Sequence, residues 1–140
     1  MIIIDGTNLL LGRIASFAAK KALLGKTIRV INSEKIYISG KKENILEQYK
    51  IKRERGTHTT GPFFPRYPDQ IVKRTIRGML PYKKGRGKAA FKRVRCYIGV
   101  PKEFEKHKKI TIKDANISKL PNLQYLDLKT LSKNLGAKIE

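Results

Sequence analysis

Of the forty-six residues from Lys50 to Arg95, fifteen are Lys or Arg and only two, Glu54 and Asp69, are acidic. That is a surplus of thirteen (15 − 2) in a chain whose formal net charge is +21, and the two flanks share the remaining eight (21 − 13). A stretch so unbalanced cannot close on itself as a core, because its charges repel one another. Its bases have to stand outermost, over an apolar structure to which the flanks contribute. Solvated faces normally mix the two signs. A face that does not is matched to a polyanion, and nucleic acid is the first partner to consider.

The apolar structure is legible on both sides of this stretch. With 140 residues, 40% of them apolar and 31% charged, the chain suits one domain with a true core under a basic coat. MIIID, an apolar run rich in β-branched residues, predicts a short buried strand. GTN then turns the chain, with Thr7 or Asn8 expected to cap a helix whose stripe is Leu11, Ile14, Ala15, Ala18 and Ala22, and Gly25 expected to end it. TIRVIN and KIYIS predict two more short strands, followed by a helix from about Lys41 into KIKRERG. Strands alternating with helices point to a parallel sheet with helices packed on it.

Within the basic stretch, the Gly- and Pro-rich segment 56–68 reads as a loop. Pro68 and Asp69 start a helix with Val72, Ile76, Met79 and Leu80 turned inward and Lys73, Arg74 and Arg77 turned out, which Pro81 stops. KKGRGK reads as a flexible loop. The spacing of Ala89, Ala90, Phe91 and Val94 predicts a short helix, and RCYIGV a strand. Crowded like charges are expected to leave 56–68 and 83–88 mobile until an anion is bound. Near the end, Asp127 as cap, Leu128, Leu131 and Leu135 as stripe and Gly136 as stop give a small helix over about 127–135. The organisation expected is one domain over 1–140, carrying a basic loop-helix-loop region at 50–95.

Several chemistries find no residues. One cysteine, Cys96, forbids an internal disulfide, and His58 and His107 are too few to complete a zinc set with it. Cys96 lies in an expected strand and reads as a small core residue. Gly25-Lys26-Thr27 resembles the end of a phosphate loop, but position 20 is Lys20 rather than glycine, and the triplet leaves a helix and enters a strand. Gly6 and Gly12 lack the dinucleotide-binding spacing, and a tight turn with close helix packing accounts for both. No nucleophile, base and acid set is discernible, so the expectation is no enzyme and no cofactor. The N-terminus has neither the basic start nor the apolar core of a signal peptide, and no run is long enough to cross a membrane. A soluble, cytoplasmic chain without a small-molecule substrate is expected.

What remains is binding. Arg53, Arg55, Arg66, Arg74, Arg77, Arg86 and Arg93 can fork onto phosphate oxygens, while Lys73, Lys83, Lys84 and Lys88 act as point charges. Phe63 and Phe64, between prolines, are candidates for stacking on bases. Gly56, Gly61, Gly85 and Gly87 would let backbone approach phosphate, and His58 suits a hydrogen bond to backbone or phosphate. A protein that binds or compacts DNA would share the charge.

The strings KRTIRGMLPYKKGRGKAAFKRVRCYIGVP and HTTGPFFPRYP, with IIIDGTNLLLGRIAS, VINSEKIYISGKK and YLDLKTLSKNLGAK around them, resemble the universal large-subunit ribosomal protein thirteen family in its archaeal and eukaryotic branch. The resemblance runs through the whole chain, and the tetrapeptide Gly78 to Pro81 (GMLP) is its most specific part. It implies a protein without enzymatic activity that binds large-subunit ribosomal RNA, sits beside other large-subunit proteins in the cytoplasmic ribosome, and supports early subunit assembly. It also implies a three-layer α/β/α fold with a four-stranded parallel sheet. The family's RNA-facing loop and helix would fall on His58, Gly61, Arg66, Lys73, Arg74, Arg77, Lys83, Lys84, Arg86 and Lys88. Bacterial relatives differ where this chain has TTGPFFPRYP, so their contacts are not carried over to residues 63–68.

Overall fold

In the computed structural model every residue is described except His58, Asn122, Leu123, Ile139 and Glu140. The apolar N-terminal run forms β1 (Ile2–Asp5), which pairs in parallel with β2 (Ile28–Ile31), placing Ile2 opposite Ile28 and Asp5 opposite Ile31. On its other edge β2 takes β4 (Val94–Cys96), also in parallel, so the sheet order is β1-β2-β4. Three strands thus stand where four were expected. The fourth position, on the free edge of β1, is held by a single parallel bridge between Ile4 and Ile110, with Asp5 N–H donating to the Ile110 carbonyl at 2.9 Å. A separate antiparallel pair joins β3 (Tyr37–Ser39) to β5 (Tyr125–Asp127).

Alternation along the strands divides the interior. Ile4, Ile28, Val30 and Val94 face the main core, and Ile3 and Ile31 face the opposite side. The main core is closed by α1 (Leu11–Leu23), which packs against α3 (Pro68–Gly78) and α4 (Gly85–Lys92). Ala15, Ala18, Ala19 and Ala22 on α1 are small enough to bring those helices close. The opposite side is covered by Phe104, in a 3-10 turn over Lys102–Phe104, and by Tyr97. Among the described residues the second helical layer that was expected is therefore an irregular cover. α2 (Lys42–Glu54) and α5 (Leu128–Asn134) contribute Ile45, Leu128 and Leu131 to the main core.

Several local expectations shift for tertiary reasons. Helix α1 is preceded by Leu10, with no side-chain cap; Thr7 bonds to Asp5 instead, and Asn8 sits at φ 61°. Leu9 and Leu10 are drawn into the core in extended form, with Leu10 bridging Tyr37, and this postpones the helix to Leu11. Gly6 is needed where a Cβ would lie 2.7 Å from Ile36, whereas nothing crowds Gly12, so close packing does not explain the second glycine. Met79 is 42% exposed rather than inward, because α3 ends at Gly78 and the turn swings it beside Leu23 and Leu24. Ile71, Val72 and Ile76 do the burying, each contributing about 1.5–3 kcal/mol over exposure. The C-terminal expectation stands: Asp127 accepts from Thr130 N–H, and Gly136 at φ 98° follows the helix. Cys96 packs against the main core, where burial, then the charge of Asp69, partly offset by Lys73, pushes its thiol up to about 12.

KKGRGK is not a free loop. Gly85 opens α4, and Gly87 is buried so close to the preceding turn that a Cβ would lie 1.8 Å from the Pro81 carbonyl oxygen. This glycine lets helix approach protein backbone, not phosphate. Gly87→Ala should therefore destabilise the fold by about 1–3 kcal/mol or more. Gly85→Ala, with open space around it, should be neutral or stabilising by about 0.5 kcal/mol. Urea unfolding checks both, and equal effects would refute the contact.

The β1 end is fixed by one carboxylate. Asp5 Oδ1 accepts from Thr7 N–H at 3.1 Å, Thr7 Oγ1 at 2.7 Å and Asn32 Nδ2 at 3.0 Å, and Asn32 adopts φ 55°. Burial pushes this carboxyl up, but the bonds from Asn32 and Thr7, with Lys35 nearby, outweigh it and hold it below the ordinary 3.8. Its contribution is then complete above the unfolded value and fades as pH falls through the folded one. The stability gap between wild type and Asp5→Ala should narrow once pH drops below about 4, as urea titrations at successive pH values would register; a gap unchanged down to pH 3 would contradict the ionic role.

Candidate nucleic-acid interface

The outer face of α3 carries Gln70, Lys73, Arg74 and Arg77 at i, i+3, i+4 and i+7, the spacing that gathers side chains along one helix face. Its inner face is the apolar stripe already described, so the bases are held at fixed height above the core. Aromatic rings set their directions. The Lys73 ammonium stands 5.1 Å from the Phe91 ring centroid, the Arg77 guanidinium 4.7 Å from Tyr82, and the Arg74 guanidinium 5.9 Å from Phe64. A cation over a ring is oriented at a gain of about 0.5–1 kcal/mol where exposed, and its charge is left uncancelled.

The loop before α3 is pinned to α2. Thr57 and Gly61 exchange backbone hydrogen bonds at 3.3 and 3.0 Å, and Gly56, at φ 81°, lies under them where a Cβ would meet the Gly61 carbonyl. Arg53 Nη1 donates to the Phe64 carbonyl at 2.9 Å. The Phe64 ring turns inward against Tyr49 of α2, with centroids 5.7 Å apart, and Lys52 covers both rings. Burial raises the Tyr49 hydroxyl, which stays protonated. Two neighbouring phenylalanines thus part company: Phe64 is a buttress, and Phe63 is 65% exposed.

Between α2, this loop and α3 runs a groove of about 670 Å³. Among the described residues five bases line it, Arg53, Arg66, Lys73, Arg74 and Arg77, together with Phe63 and Phe64, and no carboxylate does. A second basic cluster lies at the start of α4, where Lys83, Lys84, Arg86 and Lys88 are all exposed. The first turn of α4 contains no acid, so the positive end of its dipole adds to their field.

The remaining nominated residues are distributed as follows. Arg55 is exposed but outside the groove lining, Gly61 shapes the loop with φ 82°, and His58 lies outside the described residues. Arg93 is bonded within the protein, donating from Nη1 to the Ala22 carbonyl at 2.8 Å, where it closes the C-terminal end of α1. Gln70 lines the groove and was missed, though its register with Lys73 and Arg74 was the signal. Lys52 and Tyr49 were missed as supports because their roles depend on a loop meeting a helix. Among the described residues no group of three His, Cys, Asp or Glu side chains is placed to hold a metal, and no helix is long and apolar enough to cross a membrane.

Comparison with known proteins gives this basic face its relatives. The family model described as Ribosomal protein L13 matches residues 1–103. The chain is similar to the large ribosomal subunit protein uL13 of Methanosarcina barkeri, 46% identical over 139 residues and 99% of both chains. It is similar to that of Methanocaldococcus jannaschii at 44% over 142 residues, again 99% of both. For Methanopyrus kandleri the identity is 47% over 136 residues, covering 96% of this chain and 86% of the relative. With the match running through core, groove and C-terminal helix alike, this chain belongs to the ribosomal protein L13 family.

Proposed function

We infer that this chain is a structural constituent of the large ribosomal subunit that binds large-subunit RNA and supports early subunit assembly in the cytoplasm. The observation that carries the reading is the groove, with five bases and no acid among the described residues of its lining, continued by the basic start of α4. The whole chain, 1–140, acts as one domain whose region 50–95 is the docking face. A fourth parallel strand, which the family resemblance implies, finds support in the Ile110 bridge on the open edge of β1. The reading assigns the chain no reaction and no cofactor; it acts by neutralising phosphate and holding RNA segments together. The A-form major groove is too narrow to be read, so selectivity comes from RNA shape and unpaired bases. Neighbouring large-subunit proteins are further partners. The exposed apolar depression formed by Leu23, Leu24 and Met79 supports this, since RNA backbone gives such a surface nothing and a second +21 copy would be repelled.

Contact with about eight phosphates would make log affinity fall with log salt at a slope of roughly −6 to −7. Replacing Arg77 and Arg86 together by Ala should weaken binding to large-subunit RNA and reduce that slope by about 1.4–1.8, the share of two phosphates. Filter binding between low and moderate salt measures it, and an unchanged slope would remove both residues from the interface. Duplex DNA should compete poorly with structured ribosomal RNA; easy displacement would favour a DNA-binding protein instead.

A further inference from the structure

We propose that the groove takes one unpaired nucleotide of the RNA, its base against Phe63 and its phosphate among Arg66, Arg74 and Arg77. The proposal rests on the RNA-binding reading and names what that site accepts. Phe63 is the large aromatic in the loop that is left exposed, at 65%, while Phe64 beside it is turned in to serve the protein. The Phe63 ring is seated rather than loose. A Cβ on Gly61 would lie 3.0 Å from its Cδ2, so one side of the ring rests on glycine backbone and the rest is presented outward. The loop behind it is fixed by the Thr57 and Gly61 pairing and by Arg53 on the Phe64 carbonyl. The platform therefore exists before the ligand arrives.

Phosphate alone has no use for such a ring, and a duplex keeps its base faces stacked on each other. Away from duplex ends, only a splayed base offers a face to Phe63. The groove volume of about 670 Å³ lies in the range of small-ligand sites, enough for one nucleotide. Because every base has a π face, the site should tolerate any base and discriminate paired from unpaired RNA.

The chain contains no tryptophan, so Phe63→Trp places a single fluorescent reporter on the platform. Four probes are compared at low salt: a uridine dodecamer, an abasic ribose-phosphate oligomer of equal length, a blunt RNA duplex, and UMP at the same nucleotide concentration. The uridine oligomer should quench Trp emission strongly, and the abasic oligomer and duplex should bind with little quenching. Phe63→Ala in the otherwise unaltered chain should lose about tenfold in affinity for the uridine oligomer and little for the duplex. Equal quenching by the abasic oligomer, or undiminished uridine binding by Phe63→Ala, would overturn the proposal while leaving RNA binding intact. Quenching by UMP as strong as by the oligomer would assign the site to a free nucleotide and also overturn it. Failure of every polymer to bind would sink the RNA-binding reading itself.

Discussion

The basic face depends on one apolar contact: the burial of Ile71, Val72 and Ile76 of α3 against α1 and β4. The groove and the basic cluster of α4 are displayed relative to that helix. Lys73, Arg74 and Arg77 ride on its far side, the preceding loop is hung from it and from α2, and the turn at its end leads directly into α4. The repulsion among the bases is a cost of folding that grows as they are gathered. Desolvated side chains on the inner side offset it, at about 1.5–3 kcal/mol each. The alanine stripe of α1 belongs to the same contact, since larger residues there would lift α3 and the face with it.

Most proteins orient surface bases with carboxylates. Here the orienting groups around the groove are aromatic rings: Phe91 under Lys73, Tyr82 under Arg77, Phe64 under Arg74 and Lys52. A carboxylate partner would fix the base equally well and cancel its charge. A ring fixes it without cancelling its charge, although Lys73 also feels the carboxylate of Asp69. This explains why the basic stretch is interleaved with Tyr and Phe, and why so few of those rings are available as ligands themselves.

The periodic features of the chain were readable without coordinates. The stripes of α1, α3 and α5, the β1 and β2 strands and the Asp127 cap follow from spacing and chemistry that act within a few residues. What was not readable depends on a distant partner. Leu9 and Leu10 delay α1 because Tyr37 and the 115–116 backbone take them as extended chain. Gly87 serves Pro81, Phe64 serves Tyr49, and Arg93 serves Ala22, although each sits in a basic setting that suggested phosphate or base. Composition marks which region is basic; only packing separates the side chains that support the face from those that are free on it.

The sheet order has a consequence in time. β2 pairs with β1 on one edge and with β4 on the other, but 62 residues (32–93) separate the end of β2 from the start of β4. At roughly 5–20 residues per second on the translating ribosome, the second edge of β2 waits on the order of 3–12 seconds for its partner. For that interval the nascent chain holds a half-made sheet while nearly all of its most basic segment emerges beside it. The strand left open is four residues long with Arg29 within it, and short charged edges are poor templates for mispairing. The fold thus brings out nearly all of its basic surface before β4 can close the second edge of β2.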